Sequence, residues 1–234
     1  MFYANNRASL IRRLATSVLS ERTARLLAID ILRLRNRVVG FGRKNVVPKS
    51  PRLHLGCGKR NVEGWLNCDL SGSEFNVDLA GGRLPWKDCS FEHAVSQHMV
   101  EHLELEGELL PLLSELHRIM KPGGAVWISC PDLEKICRSY VENGMADLIA
   151  DRARMWGQFS MGRVPDQHFI NLFFHERGTH KNLFDYGILK WALESVGFEN
   201  IRRSDESSFL LAFPEFSRRN DDMESIYVSA NRPV

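Results

Sequence analysis

The sequence predicts an α/β domain with a mostly parallel sheet covered by helices on both faces, and three observations carry that prediction. Short apolar runs alternate with helix-like stretches from Pro51 to Ala230, the pattern of strands joined by long crossovers. Arg52–Leu70 reads RLHLGCGKRNVEGWLNCDL: an apolar run, a glycine pair at Gly56 and Gly58, a second apolar run, and an acid at Asp69. Glycines let the backbone approach a ligand, and a carboxylate at a strand end accepts hydrogen bonds from ribose hydroxyls, so this is the arrangement of an adenosine-binding turn. Third, Lys121-Pro122-Gly123-Gly124 stops an amphipathic helix directly ahead of an apolar strand.

The 234 residues suffice for one large domain with an appendage. A hydrophobic content of 44% and a charged content of 26% are ordinary for a soluble globular protein. Cysteines at 57, 68, 89, 130 and 137 form no Cys-x-x-Cys pair and lie largely in strand-like runs. That usage points to a reducing, cytoplasmic setting rather than a disulfide scaffold. No apolar run approaches the roughly 18 residues of a membrane span, so a soluble or peripheral protein is expected. The net charge of +2 is unevenly spread: residues 1–47 hold ten Lys/Arg against Glu21 and Asp30, a local +8 that leaves −6 on the remainder.

Residues 1–47 read as a basic, amphipathic helical arm with a linker. Leu10, Leu14 and Val18 recur at helical spacing, as do Leu27, Ile31, Leu34 and Val38, and the first break is Gly40. Three readings of the arm stand. It packs on its own domain or on a second subunit; it lies on an anionic membrane surface, with residues 1–40 making the contact; or it is a targeting peptide, which its two acids disfavour. Removing residues 1–40 is accordingly expected to abolish liposome association or oligomerisation and to leave cofactor binding intact.

The main domain, residues 48–234, begins with strands at Leu53–Leu55 and Trp65–Cys68, then Phe75–Val77 running into Asp78. Ala94–Ser96 is a fourth strand, Glu104–Met120 a helix, and Ala125–Cys130 a fifth strand. An insertion at about 131–184 carries a helical stretch from Leu133 to Trp156 with a break at Gly144, then an irregular, His- and Phe-rich piece from Gly157 to Lys181. A long irregular piece of this kind is usually a functional loop. Asp132, after Pro131, has two readings, a contact to acceptor or cofactor and a cap for the helix that follows it, of which the cap is favoured. Asp185–Ser195 returns to helix with Asp185 as N-cap, and Phe198–Arg203 and Ser225–Ala230 close the sheet around a loop at 204–224. Trp86, Trp127, Trp156 and Trp191 read as core or loop anchors.

Taken in order, LHLGCG, NCDL, VDLAGGRLPW, SFEHAVSQHMVEHL, LLSELHRIMKPGGAVWISCPDL and HKNLFDYGILKWALESVGFENI resemble the class I S-adenosylmethionine-dependent methyltransferases over about residues 51–203. The likeness is greatest to the type 11 branch found beside cell-surface polysaccharide genes. The resemblance implies a doubly wound, Rossmann-like, seven-stranded sheet with its last strand antiparallel. It implies S-adenosylmethionine as cofactor, with Gly56, Cys57 and Gly58 under its methionine part, Asp69 at the ribose hydroxyls with Leu70 also at the cofactor, Asp78 and Leu79 followed by Leu84 and Pro85 edging the adenine, and Gln97 and His98 beside the sulfonium with Glu101 and His102 just beyond. Two departures stand out. The third small residue and the helix after the first glycines are replaced by Lys59-Arg60-Asn61, and Phe91-Glu92 takes the place of Phe-Asp. With Asn61 where a third glycine would open a long helix, the dinucleotide fingerprint of a dehydrogenase is incomplete.

Methyl transfer from a sulfonium needs mainly alignment and exclusion of water. An oxygen acceptor also loses a proton, for which histidine is suited. His180 and then His98 are the candidate general bases. His175 and His180 are five apart with Gly178 between them, which is not the four-residue spacing of a zinc helix. A looser set of Glu101, His102 and His175 is the residual alternative, and no metal is expected. The expected acceptor is a small molecule, a sugar or a lipid-linked glycan hydroxyl. Nucleic acid is disfavoured because the body is acidic, and a homo-oligomer through the arm stays open. The alternative to an enzyme is a non-catalytic scaffold of the same fold acting through its basic arm.

Overall fold

Leu53, His54 and Leu55 are buried within β1 (Arg52–Leu55), which sits third in a seven-stranded sheet. The computed structural model describes residues 18–234, and the expected first helix around Leu10 and Leu14 lies outside them. The other strands are β2 (Leu66–Asp69), β3 (Phe75–Asn76), β4 (Phe91–Gln97), β5 (Met120–Pro131), β6 (Glu199–Ser204) and β7 (Ser225–Asn231), in the order β3-β2-β1-β4-β5-β7-β6. Pairs from β3 through β5 are parallel, and β7 runs antiparallel to both β5 and β6. The doubly wound, mostly parallel sheet with an antiparallel last strand is therefore present as expected. The chain leaves β1 outward to β2 and β3 and returns to β4 on the other side. That reversal opens a crevice at the carboxyl ends of β1 and β4, where such sheets bind ligands.

One face of the sheet is covered by α2 (Leu110–Ile119), which buries Leu112, Leu113, Leu116 and Ile119, and by α6 (Tyr186–Ser195), which buries Leu189, Ala192 and Leu193. Asp185 caps α6 by accepting from Ile188 N at 2.8 Å. On the other face Val62, Trp65, Val95, Phe209, Phe213, Phe216 and Tyr227 form a mainly aromatic core. Part of it comes from α7 (Glu206–Ala212), a helix inside the stretch expected to be loop. The insertion folds as α3 (Leu133–Asn143), α4 (Ala146–Trp156) and α5 (Ile170–His175) around its own small core of Ile136, Met145, Leu148, Phe169 and Phe173. Gly144 and Met145, with φ of 63° and 75°, make the break between α3 and α4. Asp132 caps α3 through Glu134 N at 3.0 Å and also accepts from Arg203 Nη2 at 2.7 Å. The helix stop at Lys121–Gly124 sits inside β5 as a bulge, because Phe91 pairs with Met120 but His93 already pairs with Ala125.

The short crossover from β1 to β2 has no helix, and one side chain takes its place. Asn67 accepts from Val62 N at 2.9 Å and donates to Val62 O and Trp65 O at 2.9 and 3.0 Å. It also meets His54 Nδ1 at 3.1 Å. His54 is 2 % exposed, and burial lowers its pKa to about 4 in spite of the Asn67 contact. Its folded pKa lies below the unfolded value of about 6.5, so the unfolded chain takes up the proton first and stability falls as pH drops between the two. Between pH 7 and pH 5 the wild type is expected to lose about 2 kcal/mol that His54→Gln retains. Urea midpoints at the two pH values check this, and equal losses in both proteins would contradict it.

The helix α1 (Glu21–Gly40) is capped by Ser20, whose Oγ accepts from Thr23 N at 3.1 Å. It packs on its own domain. Asn36 Nδ2 donates to Leu70 O at 2.7 Å, Arg37 Nε to Asp78 Oδ2 at 2.8 Å, and Arg33 Nη1 to Glu108 Oε1 at 2.8 Å.

Candidate active site

Gly56 and Gly58 both hold positive φ, 64° and 56°, at the carboxyl end of β1. A Cβ on Gly56 would lie 2.3 Å from Met99 Cγ, so the bare glycine lets the turn after β4 close against β1. A Cβ on Gly58 would meet nothing within 4 Å. Asp69, ending β2, accepts from Gly58 N at 2.8 Å through Oδ2 and from Leu70 N at 2.6 Å through Oδ1. The glycine turn and the acid are thus one unit. Asp78, beyond β3, is almost fully buried; it accepts from Ala80 N at 3.1 Å and from Arg37.

These groups line a cavity of about 540 Å³ together with Leu70, Leu79 and Met99, a size that suits a small-molecule ligand. Its roof is α1, through Arg25, Leu26, Ile29, Asp30 and Arg33, and its far wall is His98, His102, Glu176, Thr179 and Lys181. Exposed glycine backbone, two acids at successive strand ends and apolar flanks at Leu79 and Met99 fit a nucleoside carrying an amino-acid tail. Gly56, Gly58, Asp69, Leu70, Asp78, Leu79 and His98 line it among the expected residues; Cys57, Gln97 and His180 do not. Cys57 is buried, its thiol pushed up to about 11 by that burial and by Asp69. Gln97 is buried too, its Nε2 without a hydrogen-bond partner among the described residues.

His98 departs furthest from expectation. Its φ is 53°, a left-handed conformation for a residue with a side chain. Nε2 lies 2.8 Å from Asp221 Oδ2 and 3.0 Å from Ser225 Oγ, while Nδ1 faces Glu101 Oε1 at 3.4 Å. Burial works against charging the ring, but the bonds to Asp221 and Glu101 outweigh it and raise its pKa to about 9. Asp221 answers in the opposite sense. Its burial opposes ionisation, yet the His98 contact, Arg219 and the Tyr227 hydroxyl bring it down to about 2. With Asp221 and Ser225 at Nε2 and Glu101 at Nδ1, both ring nitrogens already face partners, an arrangement that favours the charged ring over the general base expected of His98. His180 turns Nδ1 to the Phe173 carbonyl and Nε2 toward Glu176 at 3.4 Å, behind the cavity surface. Asp221, Ser225, Arg33 and Arg37 carry no signal of this role in the sequence, because an acid more than a hundred residues from its histidine makes no local pattern with it.

Residues 67–128 match the sequence model of the family described as Methyltransferase domain. No curated protein matches the chain. Among solved structures it is similar to an S-adenosylmethionine-dependent methyltransferase from Mesorhizobium loti, at 20% identity over 80% of this chain and 92% of that one, with a TM-score of 0.43. A SAM-dependent methyltransferase from Archaeoglobus fulgidus is 17% identical over 87% of this chain and 94% of that one, with a TM-score of 0.43. Phosphoethanolamine N-methyltransferase 2 of Haemonchus contortus, in complex with S-adenosyl-L-methionine, is 13% identical over 86% of this chain, at a TM-score of 0.45, and the match spans about half, 53%, of its length. The matched segment runs from β2 into β5 and holds Asp69, Asp78 and His98, three of the residues that line the cavity.

Proposed function

We propose that the chain is an S-adenosylmethionine-dependent methyltransferase whose acceptor is a hydroxyl of a small polar molecule, a sugar or a lipid-linked glycan, reached at a membrane surface, in keeping with the family model matched by residues 67–128 and with the polysaccharide-associated branch that the motifs resemble. The observation that carries this reading is the two-sided character of α1. One side roofs the cavity, while Leu27, Ile31, Leu34 and Val38, each about half exposed or more at 49, 58, 63 and 66 %, form an apolar stripe on the outside. An exposed apolar stripe of this length on one side of a helix suits a membrane interface. No helix among the described residues is long and apolar enough to cross a membrane, so the contact proposed is peripheral.

When bound, S-adenosylmethionine supplies an electrophilic methyl group, and the chain supplies position and polarity. Gly56, Gly58, Asp69, Leu70, Asp78 and Leu79 would hold the cofactor end. The opposite wall, with cationic His98, Lys181, His102 and Glu176, is charged and hydrogen-bonding, which suits a hydroxylated acceptor better than an apolar one.

Titration calorimetry with S-adenosylhomocysteine is expected to show one site per chain, weakened about a hundredfold in Asp69→Ala as both the ribose acceptor and the anchor of Gly58 are lost. The full chain is expected to sediment with vesicles containing anionic lipid, and Leu27→Glu/Leu34→Glu to stay in solution while binding S-adenosylhomocysteine as before. A doubled solution mass with no vesicle binding would instead make the stripe an interface between two copies.

A further inference from the structure

His102 and His180 lie with ring centroids 4.9 Å apart, and each commits its Nδ1 to a main-chain carbonyl. That of His102 donates to Thr179 O at 3.2 Å, and that of His180 to Phe173 O. A neutral imidazole has one N–H and one lone pair, so both rings are left with the lone pair on Nε2. The two Nε2 atoms then face a single carboxylate oxygen, Glu176 Oε2, at 3.9 and 3.4 Å. Lone pairs pointed at a carboxylate repel unless something positive stands between them.

Glu101 adds a second, independent sign. It is 1 % exposed; Oε1 faces His98, while Oε2 is buried with no hydrogen-bond partner among the described residues. A buried carboxylate oxygen left unpaired is costly. One ligand atom from each of Glu101, His102 and His180 falls within 4.8 Å of the other two.

The geometry points to a divalent transition-metal site built from Glu101, His102 and His180, with Glu176 as a fourth ligand and a coordination position open to the cavity. Imidazole nitrogens whose other nitrogen is fixed by a backbone carbonyl are the usual metal-binding arrangement, because the carbonyl sets the tautomer and aims the ring. Two imidazoles and carboxylates suit Zn²⁺ or a neighbouring first-row ion rather than Mg²⁺ or Ca²⁺. Metal–ligand bonds of about 2.0–2.1 Å in a tetrahedron separate the ligand atoms by about 3.4 Å. The His180–Glu176 pair already has that separation, and the widest gap in the trio closes with a shift of at most about 1.4 Å.

The expected alternative trio with His175 is replaced: His175, at the end of α5, is exposed, and His180 stands in its place. His102 and Glu176 line the cavity wall opposite the glycine turn, so the ion's open position would take an oxygen ligand, the hydroxyl of an acceptor. That last role rests on the proposed methyl transfer to a hydroxyl; the binding of the ion does not.

The test uses the full chain, stripped with a chelator and titrated with Zn²⁺ by calorimetry and with Co²⁺ by visible absorption. One ion per chain is expected, with a Co²⁺ band in the visible and a Zn²⁺-dependent rise in Tm. Glu101→Gln, close in shape to the wild type, and His102→Ala, on a half-exposed side chain, are each expected to weaken binding by about tenfold or more. His168→Ala/His175→Ala, which removes two histidines outside the trio, is expected to leave it unchanged. No stoichiometric binding in the wild type, unchanged affinity in the two ligand variants, or loss in the His168/His175 variant would each overturn the site. S-adenosylhomocysteine titrated into the same samples separates the two proposals. Retained cofactor binding with no metal sinks the metal site alone, and metal binding with no cofactor binding supports the site while removing the methyl-transfer reading.

Discussion

Gly56→Ala is expected to destabilise the chain by about 2–5 kcal/mol and to abolish cofactor binding, whereas Gly58→Ala costs about 1 kcal/mol. Both glycines hold left-handed φ, 64° and 56°, so both substitutions carry the conformational penalty of a Cβ in that region. They differ in what the new atom meets. At Gly58 it meets open space, while at Gly56 it would sit 2.3 Å from Met99 Cγ and 2.6 Å from Met99 Cβ. A Cβ cannot swing away as a side-chain tip does, so the turn after β4 must move, and with it His98 and its bonds to Asp221 and Glu101. Guanidinium midpoints for the two variants read the difference directly. Equal midpoints would mean that Met99 rearranges freely and that the contact between β1 and β4 is loose.

The parts of this site that are legible in the sequence are those built locally. Gly56, Gly58 and Asp69 lie within fourteen residues and share two strand ends, so their chemistry survives without knowledge of the fold. The succession of strands along the chain follows almost as directly, since apolar runs are separated by turn signals and one clear helix stop. Pairings between distant segments are not legible. His98 reads as a free base because nothing near it in sequence shows Asp221, 123 positions on. Glu101 and His180 meet through contacts between distant segments, among them Asn182 N and Lys181 N, just past His180, which both donate to Glu101 O at 3.2 and 2.9 Å. Trp86 is core, as read, but Trp156 and Trp191 are exposed at 62 and 51 %; an aromatic at helical spacing does not say which side of the helix finds a neighbour. The helix α7 was within reach, since Asp205 caps it through Ser208 N and Phe209 and Phe213 fall four apart. Its seven residues were too short for a period to emerge.

Removing residues 1–41 is expected to weaken S-adenosylhomocysteine binding by about tenfold or more, about 1.4 kcal/mol or above. This reverses what the sequence suggested, that the arm is separable from the cofactor, and the reason lies in where its arginines go. Arg37 Nε sits 2.8 Å from Asp78 Oδ2, Arg33 Nε 3.9 Å from Asp78 Oδ1, and Arg33 Nη1 2.8 Å from Glu108. Charges expected to face lipid are turned inward, onto Asp78 in the cavity lining and onto Glu108. Without α1 the cavity also loses Leu26 and Ile29 from its wall, so water enters the crevice and every polar contact there weakens. Arg33→Ala/Arg37→Ala separates the two effects, because it frees Asp78 while leaving the helix in place. A loss confined to the deletion would make α1 a roof held by packing. Equal losses would make the arginine pair the device that holds Asp78 in position. An undiminished affinity in the deletion would mean that the crevice between β1 and β4 binds the cofactor alone, leaving α1 to the membrane or to a second copy.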